Sequence, residues 1–526
     1  MKRHASATPQ DRLSFLWLVI GFALSLFVSI RWSIPVAAWL SSVFMLRFSR
    51  TQTPVRGLPM VWLATFATIA LTSEGTLPSG LFYFLFAAGT ALAATFPYLV
   101  DRLVAPRIGG FLATLVFPLA WTSYEYLTAL IGPFGTIGSI AYTQYGNLPL
   151  LQLVSVTGIW GMSFLITWLA PVVNWAWEKG FVWPRVRGGI LLYTGTLTVI
   201  LLGGGARLAF ITPEANTVRV VGISPSRLVE ANYDQQRKSG AFDALFQGKA
   251  TDNQRAVART AYAQLTNDLF VRTEQEAKAG AKIVLWPEAG SSVLQEDESA
   301  LLTRGSTLTR NNGIYLEMGL IIVTHQAPFA ENKALLIAPT GEVVWSYDKA
   351  HPVSGEPWLP GDGRVPNTMT PYGRLATVIC FDADFPALPR QAGQAGVDLM
   401  LRPAHEWQEI DPFHAQIAVF RAIENGFSLV SEAEQGRSIA VDYEGRVLAS
   451  SDSFTSDAQV MVAFVPTKGV HTIYAIIGDL FAWLCLAGLV ILICVAVMRR
   501  RTGTADRQQA AHTSEQVLVE KVSQYD

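Results

Sequence analysis

The sequence has 526 residues, more than a single domain uses, and its formal net charge of −1 gives no indication of nucleic-acid binding. Hydrophobic residues make up 50% of the chain and charged residues only 15%, with a mean hydropathy of +0.30. Because soluble proteins carry about 25% charged residues, this composition excludes an entirely soluble protein and places part of the chain in lipid.

Apolar runs dominate the chain from residue 13 to about residue 205 and return once near the C-terminus. A membrane-spanning helix needs about 20 mostly apolar residues. The first run is followed by too many others to be a cleaved signal peptide. We predict eight spans, at 13–30, 33–46, 58–73, 79–100, 109–131, 150–176, 188–205 and 473–498.

Basic residues occur in alternate loops between these spans. They precede the first span and follow the second, fourth, sixth and last, whereas the other loops hold almost none, with Arg31 as the exception. Since cytoplasmic loops are enriched in Lys and Arg, we predict both termini in the cytoplasm. The residues concerned are Lys2, Arg3, Arg12, Arg47, Arg50, Arg56, Arg102, Arg107, Lys179, Arg185, Arg187, Arg499, Arg500 and Arg501.

This orientation divides the chain into four segments. We predict a seven-span transmembrane domain at 1–209, an extracytoplasmic domain at 210–472, a C-terminal transmembrane helix at 473–498 and a cytoplasmic tail at 499–526. The protein is therefore expected to be a multi-pass plasma-membrane protein. Its outer domain would lie in a periplasm if the cell has two membranes.

The loop 132–149, GPFGTIGSIAYTQYGNLP, is uncharged, rich in Gly, Pro and Tyr, and predicted to lie on the outer face. Two interpretations remain open. It is an interfacial loop whose tyrosines lie at the membrane surface, or it is part of a lipid-facing mouth below the outer domain.

The polar segment 210–472 alternates strand-like and helix-like patterns, which predicts an α/β sandwich with a mixed sheet. Candidate acids and a candidate nucleophile fall at strand ends, where open α/β sheets build their sites. Hairpins are predicted at 334–349 and 438–451. Other strands are predicted at 218–224, 282–286, 314–325, 374–381, 397–403 and 428–436, and helices at 252–280, 386–396 and 411–426.

Cys380 is the only cysteine in this polar segment, since Cys485 and Cys494 lie in the last apolar run. Outside the cytoplasm free thiols tend to be oxidised or paired, and Cys380 has no partner there. A cysteine after a strand is often a small core residue. The lack of a partner nevertheless favours a chemical role for Cys380.

Three segments carry the candidate chemistry: WPEAG holds Glu288, YDKAHPVSGE holds Lys349 and Glu356, and VICFDADFP holds Cys380. They resemble the Glu–Lys–Cys triad segments of the nitrilase, or carbon–nitrogen hydrolase, superfamily. With membrane spans on both sides, the chain resembles the apolipoprotein N-acyltransferase family over most of 110–465. QYGNLPLLQLVSVTGIWGMSFLI, NKALLIAPTGEVVWSYDKAH, HAQIAVFRAIENG and QGRSIAVDYEGRVL add to the resemblance. It implies a multi-pass helical membrane domain plus a nitrilase-like αββα sandwich.

The resemblance also implies roles for these residues. Cys380 would be the nucleophile that carries the acyl group as a thioester, and Glu288 the general base. The ammonium of Lys349 would stabilise the oxyanion and lower the pKa of the cysteine. Glu356 would orient Lys349 or share its charge. Taken singly, Glu288 would be a loop carboxylate and Lys349 a surface lysine.

The chain departs from the family pattern in its recognition loops. Phe381 and Asp382 stand where the family has an aromatic residue and a Glu, so the acid is one methylene shorter. HPVSGE is one residue shorter than the usual loop, RPAHEWQE replaces an Asn/Asp-rich turn, and GISPSRL replaces a Gln-Gly-Asn-like element. We interpret Trp407 and His414 as structural.

Three functional hypotheses follow. The first is an N-acyltransferase that moves an acyl chain from a phospholipid through a Cys thioester to the N-terminal amine of a lipoprotein diacylglyceryl cysteine, or to another amine. The second is a membrane-anchored amidase that uses the same triad, and the third is a catalytically silent binding protein, against which the intact triad argues. No metal-ligand spacing, phosphate loop or dinucleotide fingerprint is visible, so we expect no metal and no cofactor.

Overall fold

The computed structural model describes residues 13–29, 32–76, 80–210, 216–238, 240–456 and 459–500. The chain divides into two compact units. The first comprises the chain up to Thr128, residues 160–198 and the chain from Leu480 onward, and the second comprises residues 129–159 and 199–479. Of the predicted basic residues, Lys2, Arg3, Arg12, Arg31 and Arg501 lie outside the described residues, as does the predicted cytoplasmic tail after Arg500.

Each predicted N-terminal span falls on a helix. Within the described residues, five helices are long and apolar enough to cross a membrane: α3, α4, α8 and α9 below, and the C-terminal helix Leu480–Arg500. Helices α1, α2 and α5 are shorter. That these three helices also cross the membrane remains a prediction. The helices are α1 (Ser14–Ser25), α2 (Pro35–Thr51), α3 (Pro54–Thr72), α4 (Leu81–Ile108), α5 (Val116–Ile131), α6 (Leu148–Leu151), α7 (Val154–Thr157), α8 (Ile159–Glu178) and α9 (Trp183–Phe210).

Polar contacts join helices of the first unit. Arg50 on α2 donates two hydrogen bonds to the carboxylate of Asp101 on α4, each 2.8 Å long. The buried Glu125 on α5 accepts Trp121 Nε1 at 2.9 Å and Ser163 Oγ of α8 at 2.5 Å. Where lipid offers no hydrogen-bond partners, such polar pairs are one of the forces that hold helices together.

The described strands of the second unit form two sheets. The first has the order β13-β1-β2-β4-β5-β6, with β3 paired to β4, and the second has the order β12-β11-β10-β9-β8-β7. The strands are β1 (Thr217–Ile223), β2 (Ile283–Leu285), β3 (Ser291–Leu294), β4 (Tyr315–Val323), β5 (Ala330–Ile337), β6 (Val343–Asp348), β7 (Asn367–Thr370), β8 (Gly373–Thr377), β9 (Leu399–His405), β10 (Ser428–Glu434), β11 (Arg437–Val441), β12 (Val447–Asp452) and β13 (Val460–Pro466).

Parallel strands form the centre of each sheet. β1, β2 and β4 run parallel, as do β8, β9 and β10, while antiparallel strands flank them. In each sheet the carboxyl ends of the parallel strands lie on the same side, and Glu288 and Cys380 each follow such a strand, β2 of the first sheet and β8 of the second. The helices of this unit are α10 (Arg227–Arg237), α11 (Ala241–Phe246), α12 (Asp252–Lys278), α13 (Glu298–Asn312), α14 (Ala387–Gln394), α15 (Phe413–Asn425) and α16 (Ile473–Ile477).

Helices cover the outer faces of the two sheets. Leu269 and Phe270 of α12 and Leu301 of α13 pack in one buried core with Met318 and Leu335 of the first sheet. Helix α15 packs on β10 and β11 of the second sheet. The predicted αββα sandwich with mixed sheets is therefore confirmed.

Several elements of this unit had no clear sequence signal. The interior of α13 alternates Thr and Gly with apolar residues, which is typical of neither a strand nor a strong helix. β3 and β7 have four residues each, too few for a periodic pattern. The described residues of the second unit also extend beyond the predicted 210–472, because they include 129–159.

Candidate active site

Glu288, Lys349 and Cys380 each lie at or just beyond the end of a strand and meet in one buried site. Glu288 follows β2 after Trp286 and Pro287, Lys349 directly follows β6, and Cys380 follows β8. Their exposed fractions are 3%, 1% and 3%. The structure thus brings together three residues that are distant in sequence, of which Glu288 and Lys349 belong to types rarely buried unless paired.

The backbone of Cys380 is held in a left-handed conformation with φ +47°. This region is unfavourable for a residue with a Cβ atom, at a cost of about 1–3 kcal/mol, and persists only where surrounding contacts impose it. One such contact is the hydrogen bond from Arg402 Nε to the Cys380 carbonyl oxygen, 3.0 Å long. The Cys380–Asp384 segment then forms a 3-10 turn.

The carboxylate of Glu288 is at the centre of the hydrogen bonds of the site. Its Oε1 accepts Lys349 Nζ at 2.7 Å and Asn332 Nδ2 at 2.6 Å, and its Oε2 accepts the backbone N–H of His405 at 3.1 Å. The thiol of Cys380 donates to the carbonyl oxygen of the same His405 at 3.5 Å, and its presence beside Glu288 helps to lower the pKa of that carboxyl. Burial alone would raise the pKa of Glu288, but Lys349 and these hydrogen bonds outweigh it and hold the pKa below its usual value.

Lys349 is shared between two carboxylates. Its Nζ lies 2.7 Å from Glu288 Oε1 and 3.0 Å from both oxygens of Glu356, so the predicted contact to Glu356 is present. Burial would lower the pKa of Lys349, but the negative charges around it raise the pKa well above its usual value. The pKa of Glu356 is raised by burial and by Glu288. The two acids therefore differ, with Glu288 the more readily ionised.

The thiol of Cys380 is held in its protonated form. Burial, and then the charge of Glu288, raise the pKa of Cys380, whereas His414 and Lys349 act to lower it. Lys349 thus acts on the cysteine pKa in the expected direction, but desolvation of the buried thiolate outweighs this effect. A base must therefore remove the proton during the reaction, and Glu288 is the carboxylate whose charge acts on the thiol.

Asp382 ties the cysteine turn to the lysine loop. Its carboxylate accepts the Tyr347 hydroxyl at 2.8 Å and the backbone N–H groups of His351, Ile379 and Ala350 at 2.7, 3.1 and 3.3 Å. The residue is fully buried. The shorter acid therefore reaches four donors.

Phe381 lies beside the reacting groups without a polar function. Its ring packs edge-to-face on Phe385 with centroids 5.2 Å apart, and its centroid lies 6.5 Å from that of His414. The residue is 5% exposed. We infer that it excludes water from the sulfur, since a buried apolar side chain offers no hydrogen-bonding group.

A buried charge network lies behind the cysteine turn and was not anticipated from the sequence. His414 Nε2 lies 2.6 Å from Asp384 Oδ2, and His414 Nδ1 lies 3.1 Å from Glu406 Oε1. Arg402 Nη1 lies 3.5 Å from the same Glu406 oxygen. Burial would lower the pKa of His414, but Asp384 and Glu406 raise it well above its usual value. His414 also acts to lower the pKa of the Cys380 thiol, and its structural role stays a prediction.

The loop 132–149 packs against the cysteine turn within the second unit. The backbone N–H and the hydroxyl of Thr136 donate to the Asp384 carbonyl oxygen at 2.9 and 2.8 Å. A Cβ atom on Gly135, which has φ +51°, would collide with that oxygen. Tyr142 is buried and its hydroxyl accepts Arg421 Nη2 at 2.7 Å. The surface-tyrosine interpretation of this loop is therefore wrong for Tyr142.

Across the described ranges of the chain, no group of three or more His, Cys, Asp and Glu side chains is arranged to hold a metal ion. The arrangement can instead perform acyl transfer, because it holds a thiol, a carboxylate base and an ammonium group within one hydrogen-bonded cluster.

Comparison with known proteins gives two family matches on this chain. Residues 9–172 match the apolipoprotein N-acyltransferase N-terminal domain, and residues 244–472 match the carbon-nitrogen hydrolase domain. The second match contains Glu288, Lys349 and Cys380.

Individual proteins are similar over most of the chain. An apolipoprotein N-acyltransferase from Geobacter metallireducens is 28% identical over 471 residues, which are 82% of this chain and 84% of that protein. Apolipoprotein N-acyltransferase 2 of Treponema pallidum is 24% identical over 490 residues, 81% of each chain. Among solved structures, an amidase from Nesterenkonia sp. is 19% identical with a TM-score of 0.35, and the match covers 49% of this chain and 94% of the amidase.

Proposed function

This chain belongs to the apolipoprotein N-acyltransferase family, and we propose that it moves an acyl chain from a phospholipid to the N-terminal amine of a lipoprotein through a thioester on Cys380. The family acts on lipoproteins in a membrane. The observation that carries the proposal for this chain is the buried cluster in which Lys349 Nζ donates to Glu288 at 2.7 Å and the backbone of His405 links Glu288 to the Cys380 thiol.

In the first half-reaction, the sulfur of Cys380 attacks the carbonyl carbon of a phospholipid ester. Glu288 accepts the thiol proton as the carbon–sulfur bond forms. The ammonium of Lys349 stabilises the oxyanion of the tetrahedral intermediate, where negative charge develops. The ester carbon–oxygen bond then breaks, and the proton passes from Glu288 to the oxygen of the departing lysophospholipid.

In the second half-reaction, the amine of the acceptor attacks the thioester carbonyl carbon. Glu288 accepts a proton from the attacking nitrogen, the carbon–sulfur bond breaks, and that proton returns to the sulfur. The product is an amide on the acceptor. Water would give a free fatty acid by the same route, so transfer depends on keeping water away from the thioester until the amine arrives.

We infer that the protein is a multi-pass protein of the plasma membrane with both termini in the cytoplasm and the triad on the outer, or periplasmic, side. The basic loops that alternate along the spans support this orientation. The corresponding segments are the seven-span domain 1–209, the catalytic domain 210–472, the final span 473–498 and the tail 499–526. Fusing an extra reporter to either end and testing its accessibility in intact cells would check the orientation.

The test of the function uses the full-length protein in detergent with a phospholipid and a diacylated lipopeptide. A mass gain of one acyl chain on the peptide, lost in Cys380→Ser, is the expected result. The altered loops HPVSGE, RPAHEWQE and GISPSRL favour a second candidate, an amidase that uses the same residues. Release of free acid or ammonia without peptide acylation would support the hydrolase over the acyltransferase. Unchanged activity in Cys380→Ser would overturn both candidates.

A further inference from the structure

Helix α10 presents a charged face that is not explained by the triad. Glu230, Tyr233, Asp234 and Arg237 are spaced so that they share one side of the helix. The preceding residue, Ser226, fixes the start of the helix, because its N–H and hydroxyl donate to Asp268 at 2.8 and 3.0 Å.

The charged face of α10 is turned toward the end of β10. Gln435 Nε2, one residue beyond that strand, donates to Glu230 Oε1 at 3.2 Å. Glu434, the last residue of β10, interacts electrostatically with Glu230, Asp234 and Arg237 of the helix. The helix thus adds two acids to the edge of the second sheet.

Glu434 is only 8% exposed, and in the described part of the chain its carboxyl has no hydrogen-bond partner. Burial raises the pKa of Glu434 well above its usual value, and the neighbouring charges of Glu230, Asp234 and Glu288 raise it further, while Arg237 opposes them. A buried acid without a donor is costly to a protein, which is why such groups are usually paired.

This cluster lies next to the reacting groups. Glu434 pairs in register with His405 on β9, and the N–H of His405 donates to Glu288 Oε2 at 3.1 Å. The ring nitrogen Nδ1 of His405 is likewise buried without a hydrogen-bond partner among the described residues. The unpaired polar groups therefore lie next to His405, whose backbone accepts the Cys380 thiol and donates to Glu288.

The cluster holds more acidic groups than basic ones. Three carboxyl groups, those of Glu230, Asp234 and Glu434, share a single arginine, and within the described ranges no salt bridge joins Arg237 to them. A cation placed among them would lower the energy of their ionised forms and supply the missing hydrogen-bond donors. A primary ammonium group, with three N–H donors, matches this need.

We propose that Glu434, together with Glu230 and Asp234 of α10, binds the primary ammonium group of a substrate beside Cys380. The inference rests on the proposed function, in which one substrate is an amine. Two substrates of that reaction can carry such a group: the acceptor, at its N-terminal amine, and the acyl donor, if its headgroup is ethanolamine.

The test compares Glu434→Gln with the wild-type protein and with Glu342→Gln, which changes an exposed acid in the β5–β6 turn. The acceptor arm measures kcat/KM for a diacylated lipopeptide relative to hydroxylamine, which is neutral at neutral pH. Loss of a charge-assisted hydrogen bond is expected to lower this ratio about tenfold in Glu434→Gln, with no change in Glu342→Gln.

The donor arm measures thioester formation from a phospholipid with an ethanolamine headgroup relative to one with a glycerol headgroup. A fall in this ratio in Glu434→Gln, again about tenfold, would assign the site to the donor headgroup. Both ratios unchanged in Glu434→Gln, or an equal loss with every substrate, would overturn the proposal.

If Glu434→Gln does not fold, Glu230→Gln on the partly exposed α10 replaces it, with an expected fall of about threefold in the same ratio. If the wild-type protein forms no thioester at all, the proposed function fails separately. The ammonium site is then tested by measuring direct binding of the diacylated lipopeptide. The proposal predicts weaker binding to Glu434→Gln than to Glu342→Gln. Equal binding to the two variants would overturn it.

Discussion

Asp382 accepts a hydrogen bond from the backbone N–H of His351 at 2.7 Å, and this contact connects the turn that carries Cys380 to the loop that carries Lys349. Because Asp382 also accepts the amides of Ala350 and Ile379, its carboxylate fixes both segments at once. The distance between sulfur and ammonium thus depends on a residue that touches neither substrate nor reacting atom.

Replacing Asp382 by Asn should therefore lower kcat more than it changes KM. The substitution keeps the size of the side chain but turns an amide group toward backbone N–H donors, at a cost of about 1–3 kcal/mol for each donor left unsatisfied. Steady-state kinetics with a lipopeptide acceptor would separate the two constants. A variant with an unchanged kcat would show that Asp382 does not position the triad.

The thioester should form on Cys380 alone. After incubation with phospholipid and no acceptor, mass spectrometry of the intact protein is expected to show one added acyl chain. Cys380→Ser should lack this thioester adduct and lose at least about a thousandfold in activity. The control is Cys494→Ser, which changes an exposed cysteine of the C-terminal helix and should keep the adduct. An adduct that persists in Cys380→Ser would contradict the assignment.

Replacing Lys349 by Met should damage both activity and stability. The change leaves the carboxylates of Glu288 and Glu356 without their shared cation in a buried site, which is expected to cost about 3–5 kcal/mol of unfolding free energy. Activity should fall about a hundredfold or more, since the oxyanion loses its stabilising charge. Lys278→Met is the control, because Lys278 is 68% exposed and its pair with Glu274 contributes little.

The reactivity of Cys380 toward iodoacetamide should rise with pH, with a midpoint above the ordinary thiol value of about 8.5. In Glu288→Gln the midpoint should move to lower pH, because removing the neighbouring negative charge makes the thiolate easier to form. The same variant should lose acyl transfer, since the base is gone. A midpoint that rises in Glu288→Gln would contradict the role of Glu288 as a charged neighbour of the sulfur.

His414 should stabilise the fold most at low pH. Its pKa is raised in the folded protein, so its contribution is fully present below about pH 6.5, the unfolded value, and is lost as the pH rises through the folded value. The thermal midpoint of the wild-type protein should therefore exceed that of His414→Gln by more in acid than in alkaline solution. A difference independent of pH would show that His414 is neutral.

Glu288 and Cys380 were recognisable as candidates because each follows an apolar strand, whereas the assignment of all three triad residues came from the resemblance of their segments to the nitrilase superfamily. Asn332 was not predictable, since it lies within β5 and only the pairing of β5 with β6 brings it near Lys349. The contacts of His414 with Asp384 and Glu406 were likewise not predictable, because no spacing in the sequence relates the three residues. The acids of α10 were missed because a short polar helix gives no apolar periodicity.

The support that Thr136 gives to Asp384 comes from a stretch of chain that precedes the strands of the catalytic unit by about 80 residues. An excised fragment that begins at residue 210 would omit this support together with the buried Tyr142. Truncating the protein at the apparent start of the hydrolase-like domain would thus remove residues that pack against the turn carrying Cys380. Soluble versions for crystallography or screening will need residues 129–159 supplied on the same polypeptide or added back as a peptide.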